Sequence, residues 1–515
     1  MGTARELLGE LLDPGSFVSW DRPPVAVAAS AEYREDLLAA AAVAGTDEAV
    51  LTGEGLLRGR RVAVIACEFA FLAGSVGVAA AERIVSAVER ATELGLPLLA
   101  SPTSGGTRMQ EGTVAFVQMV KVAGALATHK AAGHPYLVYL RDPTMGGVFA
   151  SWGSLGHMTF AEPGALVGFL GPRVYRALYG KKFPEGVQTA ENLYRNGVID
   201  GVVPIPVFRR IAHRSLAVLC DGPLPLPGKD GDPHRSKEGV GCLPAGPRER
   251  GGPALPDAGG VHAWQSVLIS RRADRPGIRE LLRHVTDRVP LSGTGQGELD
   301  RTVVHALARF RGQPCIVFGH DRAGQSPENT MGPAALREAR RSMHLAAELR
   351  VPLVLVIDTA GAALSREAEE RGLAPEIARC IADLVTLDTP TVSVLLGQGT
   401  GGGALALLPA DRVLAAANGW LAPLPPEGAS EIVYRDTRHA PKLAAAQRIR
   451  ALDLAADGIV DRIVPEYPDA ADEPVDFALR MVAAIAEELA GLTSRSPGDL
   501  LAARHVRYRR LGLGS

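Results

Sequence analysis

Residues 97–106 read PLLASPTSGG, and residues 352–361 read PLVLVIDTAG. Each stretch begins with a proline, continues as a short apolar run that favours a buried strand, and ends in a turn that contains glycine. Pro97 and Pro352 lie 255 positions apart, and so do the glycines that close the two stretches. The sequence therefore predicts two copies of one fold in a single chain.

Further landmarks keep this register along both halves. The offset is again 255 for Pro135 and Pro390 and for the glycine pairs 146–147 and 401–402. It becomes 261 between GVIDGVVP at 197–204 and GIVDRIVP at 458–465. Five matching landmarks, four at one offset and the fifth shifted by six residues, are typical of a duplicated fold.

Apolar periodicity assigns matching elements to the two halves. In the first half it predicts strands at 62–66, 98–100 and 136–140 and helices at 76–94 and 113–132. In the second half the equivalent elements are predicted at 315–319, 333–349, 353–357, 375–386 and 391–396. Strands that alternate with helices indicate an α/β fold with a mainly parallel sheet in each half.

The composition changes between the halves. Residues 221–259 are dense in proline, glycine and charge and show almost no apolar periodicity. They predict a linker between an N-terminal domain at 1–220 and a C-terminal domain at 260–515. The alternative is an ordered excursion that packs on the surface.

Composition and charge exclude several classes of protein. The formal net charge of −2 in 515 residues argues against nucleic acid or a membrane surface as the main partner. None of the five cysteines forms a C-x-x-C pair, and the histidines show no metal-ligand spacing, so we expect no metal. The start of the chain does not resemble a signal peptide, and no long uncharged apolar run suggests a membrane span. We therefore expect a cytoplasmic location.

Each half carries two glycine turns between a strand and a helix. They are Ser104-Gly105-Gly106-Thr107 and Met145-Gly146-Gly147-Val148, and then Thr359-Ala360-Gly361-Ala362 and Thr400-Gly401-Gly402-Gly403. A helix N-terminus presents free N–H groups, and glycine lets a ligand approach the backbone closely. Two such turns could therefore aim two N–H groups at one oxygen and form an oxyanion hole. The alternative is that these glycines only make tight turns or close helix packing.

One glycine pattern in the second half is a false signal. GQGTGG at 397–402 fits the dinucleotide fingerprint G-x-G-x-x-G, but it lies deep in its half rather than in a first strand–helix turn. No acidic residue follows at the expected distance. The sequence therefore does not favour a nicotinamide or flavin site.

At these residues the sequence resembles a known family. The first half resembles the β subunit of bacterial acetyl-CoA carboxylase carboxyltransferase, and the second half resembles its α subunit. The motifs of the first half are LLDPGSFVSWD (11–21), CEFAFLAGSVG (67–77), GGTRMQEG (105–112), DPTMGGVFAS (142–151), AEPGALVGFLGPRV (161–174) and NGVIDGVVP (196–204). Those of the second half are GPAALREARRSMHLAAEL (332–349), VIDTAGA (356–362), GQGTGGGALAL (397–407) and PPEGASEIVY (425–434). One chain with both halves is similar to the fused actinobacterial carboxyltransferases.

The resemblance implies a fold, an activity and partners. It implies two crotonase-like domains in tandem, each built from ββα repeats, and a site shared between halves of two subunits in a homodimer or hexamer. The implied reaction moves carboxylate from carboxybiotin to the α-carbon of an acyl-CoA, with acetyl-CoA and malonyl-CoA favoured, as in fatty acid biosynthesis. Two oxyanions develop in this reaction, and two doubled glycine turns would match them.

The resemblance also implies which residues act. The acyl-CoA thioester oxygen would be held at Gly105, Gly106, Gly146 and Gly147. The ureido oxygen of biotin would be held at Gly361, Ala362, Gly401 and Gly402. Arg108 and Gly403 would contact the bound cofactors. Arg108 is expected one turn into a helix, where it would meet a CoA phosphate or pair with Glu111.

Three departures from the family pattern qualify these expectations. The four-cysteine zinc ribbon of the β subunit is missing, in line with the expectation of no metal. The usual T-P-G-A-Y-P-G of the α subunit reads TAGAALS at 359–365, which alters the biotin side. No biotin-attachment motif A-M-K-M is found, so a separate biotin carrier protein and a biotin carboxylase would be needed.

Two alternatives to the carboxyltransferase remain open. The first is a biotin-independent malonyl-thioester decarboxylase, which would use only the better-preserved first half. The second is a non-catalytic acyl-CoA-binding subunit of a carboxylase.

Overall fold

The structure is a computed structural model that describes residues 2–27, 29–106, 108–169, 176, 181–224, 226, 263–326, 329–363 and 365–511. Of the predicted linker at 221–259, residues 225 and 227–259 lie outside the described residues. The chain divides into two compact units. The N-unit is Met1–Cys220 with Leu291–Glu298, and the C-unit is Asp221–Pro290 with Leu299–Ser515.

The N-unit is built on a seven-stranded sheet. Its strands are β1 (Val18–Ser19), β2 (Val50–Leu57), β3 (Arg60–Cys67), β4 (Leu98–Ser101), β5 (Tyr136–Leu140), β7 (Met158–Ala161) and β9 (Gly201–Val202), and β6 (Thr144–Met145) pairs with β8 (Val167–Gly168) in a separate ribbon. The order in the sheet is β1-β2-β3-β4-β5-β7-β9. The first three strands pair antiparallel, and the pairs from β3 to β9 are all parallel.

Helices cover this sheet through apolar faces. Val78–Glu93 buries one face, including Ile84 and Val88, against a core that also holds side chains of Gly112–Ala131 and of the sheet. The helix predicted at 76–94 is confirmed, and its observed start lies two residues later. Its buried positions recur every three or four residues, as expected for a helix that packs one face on a core. The α-helices whose bounds lie within the described residues are Ala4–Leu11, Ala31–Ala44, Val78–Glu93, Gly112–Ala131, Ala190–Arg195 and Ile205–Cys220, with short 3-10 turns at Leu72–Gly74, Met109–Glu111 and Trp152–Ser154.

The C-unit repeats this plan. Its strands are β10 (Asp287–Leu291), β11 (Val303–Phe310), β12 (Gln313–His320), β13 (Leu353–Thr359), β14 (Thr391–Thr400), β15 (Arg412–Ala416), β16 (Trp420–Ala422) and β17 (Arg462–Val464). The order is β10-β11-β12-β13-β14-β15-β17, and β16 pairs with β14. The β11–β12 pair is antiparallel, and the pairs that follow are parallel.

The helices of the C-unit enclose its own core. Pro474–Thr493 contributes most of one buried face to that core, including Phe477, Met481 and Ile485. The α-helices are Ala263–Ser270, Ile278–Leu281, Pro333–Leu349, Arg366–Glu370, Leu373–Thr386, Gly401–Leu405, Pro426–Tyr434, Ala440–Ala446, Ala451–Ala456, Pro474–Thr493 and Pro497–Arg510, with a 3-10 turn at Arg322–Gly324.

The two units therefore share one topology, as the internal repeat predicted. Each has an antiparallel hairpin, β2–β3 or β11–β12, next to an outer strand, β1 or β10, and continues its sheet with parallel strands. The glycine turns follow the carboxyl ends of adjacent parallel strands, which brings the two turns of each unit to one edge of its sheet. Among the described residues, no helix is long and apolar enough to cross a membrane.

Candidate active site

The first turn of the N-unit is fixed by hydrogen bonds from both sides. The Ser104 N–H donates to the Pro143 carbonyl at 2.7 Å, and the Gly105 N–H donates to the Ala73 carbonyl at 2.8 Å. Gly106 has φ +120°, a conformation that side chains rarely adopt, so this position requires glycine. Its N–H donates to Ser104 Oγ at 3.0 Å, and the Ser104 hydroxyl donates to the Gly106 carbonyl at 3.2 Å.

The second turn of the N-unit lies directly against the first. Met145 donates its N–H to the Ser104 carbonyl at 2.9 Å, and Gly146 donates to Gly168 O at 3.1 Å. A Cβ atom on Gly146 would lie 3.3 Å from the Cα atom of Gly106. Gly146 also has φ +66°, so both the conformation and the space demand glycine. The backbones of the two turns therefore meet without an intervening side chain.

These hydrogen bonds distinguish the predicted donors of the N-unit. The N–H groups of Gly105, Gly106 and Gly146 are each engaged within the unit. The Gly147 N–H has no acceptor among the residues that the structure describes. Of the four predicted donors, Gly147 is thus the one whose N–H is left without an acceptor by the described residues and could receive an oxygen of a ligand.

The C-unit forms the same first turn with a threonine. Gly361 has φ +136°, and its N–H donates to Thr359 Oγ1 at 3.1 Å. Thr359 Oγ1 also lies 3.1 Å from the Gly361 carbonyl and 2.9 Å from Gln325 Oε1. The Ala362 N–H has no acceptor within the described part of the chain, whereas the next residue, Ala363, donates to Met331 O at 2.8 Å.

The second turn of the C-unit begins the helix Gly401–Leu405. Gly401 has φ +64°, and the first N–H groups of a helix, here including that of Gly402, have no acceptor within it. A Cβ atom on Gly403 would lie 2.7 Å from Met331 Sδ and 3.6 Å from the Ala362 N atom. The start of this helix therefore lies against the first turn, as the corresponding turns do in the N-unit.

A buried polar network supports the first turn of the C-unit. Asp358 precedes Thr359 and accepts hydrogen bonds from the Gln398 N–H at 3.1 Å and from Arg322 at 3.2 Å. Gln325 donates to the Asp358 carbonyl at 3.0 Å. Burial raises the pKa of the Asp358 carboxyl, while Arg322 and Arg275 act against that rise. The N-unit has Thr103 at the equivalent position, so the two turns rest on different side chains.

The position of Arg108 corrects one prediction. Arg108 does not lie one turn into a helix, because it precedes the 3-10 turn Met109–Glu111 and has extended backbone angles. Its side chain is 1% exposed and forms a bidentate ion pair with Glu48, at 2.5 and 3.1 Å. The predicted partner Glu111 lies farther away, at 3.8 Å. This burial favours the structural alternative over a contact with a CoA phosphate.

Sequence reasoning missed the hydroxyl groups that hold the two positive-φ glycines. Ser104 and Thr359 stand 255 positions apart, each two residues before its glycine. A Ser or Thr that accepts a hydrogen bond from the N–H two residues on is a recognised turn element, so this signal was present in both motifs. Gln325 and Glu48 had no such local signal, since each lies more than 30 residues from its partner.

The arrangement can stabilise negative charge on an oxygen. Backbone N–H groups at fixed positions donate to an oxyanion without reorganising, and positive-φ glycines remove the side chains that would block its approach. The described residues of both units provide such groups at the junction of two turns: Gly147 in the N-unit, and Ala362 and Gly402 in the C-unit.

Comparison with known proteins identifies relatives along the whole chain. The family model of the carboxyl transferase domain matches residues 2–496. A probable biotin-dependent acyl-coenzyme A carboxylase beta3 subunit of Mycobacterium tuberculosis is 63% identical over 512 residues, which is 99% of each chain. The acetyl-coenzyme A carboxylase carboxyl transferase subunits beta/alpha of Salinispora arenicola are 38% identical over 98% of this chain and 90% of that protein.

Solved structures show the same fold. A hexameric transcarboxylase 12S crystal structure with methylmalonyl-coenzyme A and methylmalonic acid bound has a TM-score of 0.74 at 20% identity, over 96% of this chain and 90% of that chain. A single-chain, multi-domain long-chain acyl-CoA carboxylase has a TM-score of 0.68 at 19% identity, over 94% of this chain and 45% of that chain. Both units are thus crotonase-like, as predicted.

Proposed function

The chain belongs to the carboxyl transferase domain family, and we propose that it transfers carboxylate from carboxybiotin to the α-carbon of an acyl-CoA. It is the carboxyltransferase component of a biotin-dependent acyl-CoA carboxylase. We further propose that each unit binds one of the two substrates. Acyl-CoA would bind at the turns of the N-unit, and biotin at the turns of the C-unit.

In the N-unit, the proposed role of the turns is to hold the thioester oxygen of acyl-CoA. When the α-carbon reacts, negative charge moves onto this oxygen, and a fixed N–H donor then stabilises it more than it stabilised the neutral carbonyl. Gly147 is the donor we propose first, because its N–H has no acceptor among the described residues. Gly105, Gly106 and Gly146 would shape the approach, since their own N–H groups are engaged.

In the C-unit, the proposed role of the turns is to hold the ureido oxygen of biotin. Carboxybiotin, when delivered by a carrier protein, would supply the carboxylate. The residues present fit such a ring, because three glycines (Gly361, Gly401 and Gly402) leave the backbone of the turns accessible, and the side chains nearest to Gly361 and Gly402 are Thr400 and Ile377. The N–H groups of Ala362 and Gly402 are the donors we propose there.

The proposal rests on the observation that both units have the same backbone conformation at their glycine turns. Gly106 and Gly361 have φ +120° and +136°, and Gly146 and Gly401 have φ +66° and +64°. The C-unit keeps this geometry although its sequence departs from the family pattern at 359–365. Two oxyanion sites match a reaction in which two carbonyl oxygens gain negative charge.

The proposal extends to the identity of the substrates and of the partner proteins. We propose acetyl-CoA as the acceptor and malonyl-CoA as the product, as in fatty acid biosynthesis in the cytoplasm. The relatives named above include acyl-CoA carboxylase and acetyl-CoA carboxylase subunits. The proposed partners are a separate biotin carboxylase and a biotin carrier protein. The proposed assembly is a homodimer or hexamer, and the transcarboxylase 12S neighbour is a hexamer.

The reverse half-reaction tests this function. The purified full chain is incubated with malonyl-CoA, with and without free biotin, and acetyl-CoA is measured; methylmalonyl-CoA is run in parallel. Turnover that requires biotin supports the proposal. Turnover without biotin would replace it with a malonyl-thioester decarboxylase. No turnover of either thioester, together with a rise in melting temperature on adding CoA, would favour a non-catalytic acyl-CoA-binding subunit.

A further inference from the structure

Each unit places a buried hydroxyl group at the glycine that opens its site. Ser104 is 0% exposed and Thr359 is 1% exposed. Each oxygen accepts a hydrogen bond from the glycine N–H two residues later, at 3.0 Å in the N-unit and 3.1 Å in the C-unit. The same contact thus occurs twice in one chain, at positions 255 apart.

A positive-φ glycine needs such a restraint if it is to shape a fixed site. Glycine fits a conformation that other residues avoid, but it also has the widest range of backbone conformations. The same hydroxyl also donates to the carbonyl of that glycine, at 3.2 Å in the N-unit and 3.1 Å in the C-unit. The two contacts together close a small ring around the glycine and limit that range. Since both oxygens are buried, water cannot take over the hydrogen bond when the hydroxyl is removed.

Thr359 is held by a second contact that Ser104 lacks among the described residues. Thr359 Oγ1 lies 2.9 Å from Gln325 Oε1, and Gln325 Nε2 donates to the Asp358 carbonyl at 3.0 Å. The Thr359 side chain therefore has its orientation set by Gln325, and the turn of the C-unit is connected to the ion pair between buried Asp358 and half-buried Arg322.

We infer that Ser104 and Thr359 are paired positioning residues, which hold the Gly106 and Gly361 turns in the conformation that receives a carbonyl oxygen. Neither hydroxyl needs to touch the reacting atoms. The inference rests on the proposed function for its substrates: loss of Ser104 Oγ should impair the use of the CoA thioester, and loss of Thr359 Oγ1 the use of biotin.

Variants that remove or keep the hydroxyl test this pair. Ser104→Ala and Thr359→Val remove it with little change of volume, and Thr359→Ser keeps it. The matched controls are Ser101→Ala and Thr389→Val, whose hydroxyl groups are also buried but have no hydrogen-bond partner among the described residues. In the full chain, kcat and both KM values are measured for the malonyl-CoA and biotin half-reaction.

We expect the two variants to impair the use of different substrates. Ser104→Ala should raise the KM for malonyl-CoA and Thr359→Val the KM for biotin, each by roughly threefold or more, with kcat reduced roughly tenfold because the reacting atoms lose alignment. Thr359→Ser and both controls should stay within about twofold of the unsubstituted chain. Equal impairment in Thr359→Ser and Thr359→Val, or a Ser104→Ala variant indistinguishable from Ser101→Ala, would overturn the inference.

A second measurement does not depend on activity. Hydrogen–deuterium exchange of the peptides that cover 98–106 and 353–363 reports the order of the two turns directly. Faster exchange of the Gly106 and Gly361 amides in Ser104→Ala and Thr359→Val, but not in the controls, supports the inference even if the unsubstituted chain turns over no thioester. Unchanged exchange at both turns would refute it while leaving the proposed function intact.

Discussion

The Cα atom of Gly106 lies 3.3 Å from the place where a Cβ atom on Gly146 would stand. Since Gly146 also has φ +66°, Gly146→Ala must push the two turns of the N-unit apart as well as strain its own backbone. We expect this variant to lose roughly tenfold in turnover of malonyl-CoA with biotin, because the turns must separate by a few tenths of an ångström and the donors then lose part of their alignment. Steady-state kinetics on the folded variant measures the effect.

Gly164→Ala is the matched control for this variant. Gly164 has φ +73°, but a Cβ atom there would meet nothing within 4 Å. It therefore carries the backbone strain of a positive φ, about 1 kcal/mol, without the steric contact. Turnover should remain close to that of the unsubstituted chain. Equal losses in the two variants would mean that general destabilisation, and not the junction of the turns, sets the activity.

The C-unit allows the corresponding experiment. Gly401 has φ +64°, and its Cβ atom would lie 3.4 Å from the Pro423 carbonyl oxygen, whereas Gly458, at φ +76°, has open space. Gly401→Ala should lower kcat/KM for biotin by roughly tenfold, and Gly458→Ala should change it little. A normal rate with biotin in Gly401→Ala would remove this turn from the proposed site.

The buried pair of Arg108 and Glu48 gives a prediction about stability. Their side chains are 1% and 3% exposed, and Glu48→Gln leaves the guanidinium without a charged partner at 2.5 Å. Breaking a buried pair costs about 3–5 kcal/mol in the free energy of unfolding when the remaining charge has no other partner. Since Glu111 remains 3.8 Å from Arg108, we expect a loss of about 3 kcal/mol or less. Denaturant unfolding of Glu48→Gln measures it. Glu54→Gln, which breaks the more exposed Arg61–Glu54 pair at 2.6 Å, should cost about 1 kcal/mol or less.

His129 gives a prediction about pH. It is fully buried, and its burial lowers the pKa of the imidazole from 6.5 to about 4. The unfolded chain therefore takes up a proton at this residue before the folded chain does, so stability is present above pH 6.5 and falls as the pH drops toward 4. The loss from this one residue is about 3 kcal/mol at pH 4.

Unfolding measured between pH 4 and 7.5 tests this sign. His129→Gln has no group that titrates there, so its free energy of unfolding should fall less steeply with acid than that of the unsubstituted chain. Part of the pH dependence should remain in His129→Gln, because burial also lowers the pKa values of His320 and His305. Identical slopes in the two proteins would contradict the assignment.

The sequence predicted the parts of the fold and site that depend on local pattern. Pro97–Gly106 and its repeat at Pro352–Gly361 predicted the strands, the turns and the duplication, because strand periodicity and glycine conformations are properties of short segments. The helix predicted at 333–349 is confirmed as Pro333–Leu349. The domain boundaries and the assignment of site residues stay predictions.

The sequence could not show which N–H groups are free. That depends on acceptors that lie far along the chain, such as Ala73 for Gly105 and Gly168 for Gly146. The helical position predicted for Arg108 was wrong for a similar reason. Glu111 was close in sequence, but the better partner, Glu48, lies 60 positions away, and Gly112, at φ +62°, separates the 3-10 turn from the start of the long helix. Contacts between residues far apart in the sequence thus determine which N–H groups are engaged and which carboxylate pairs with Arg108.

The meeting of glycine backbones at the two turns has a consequence for chemical inhibition. An amide N–H neither loses its proton at neutral pH nor reacts with reagents directed at thiols, amines or imidazoles. The buried thiols of Cys67, Cys315 and Cys380, whose pKa values are raised by burial, are also poor nucleophiles. Compounds that bind to these turns would therefore act by shape and by presenting an acceptor oxygen, rather than by forming a bond to the backbone amides or to these three thiols.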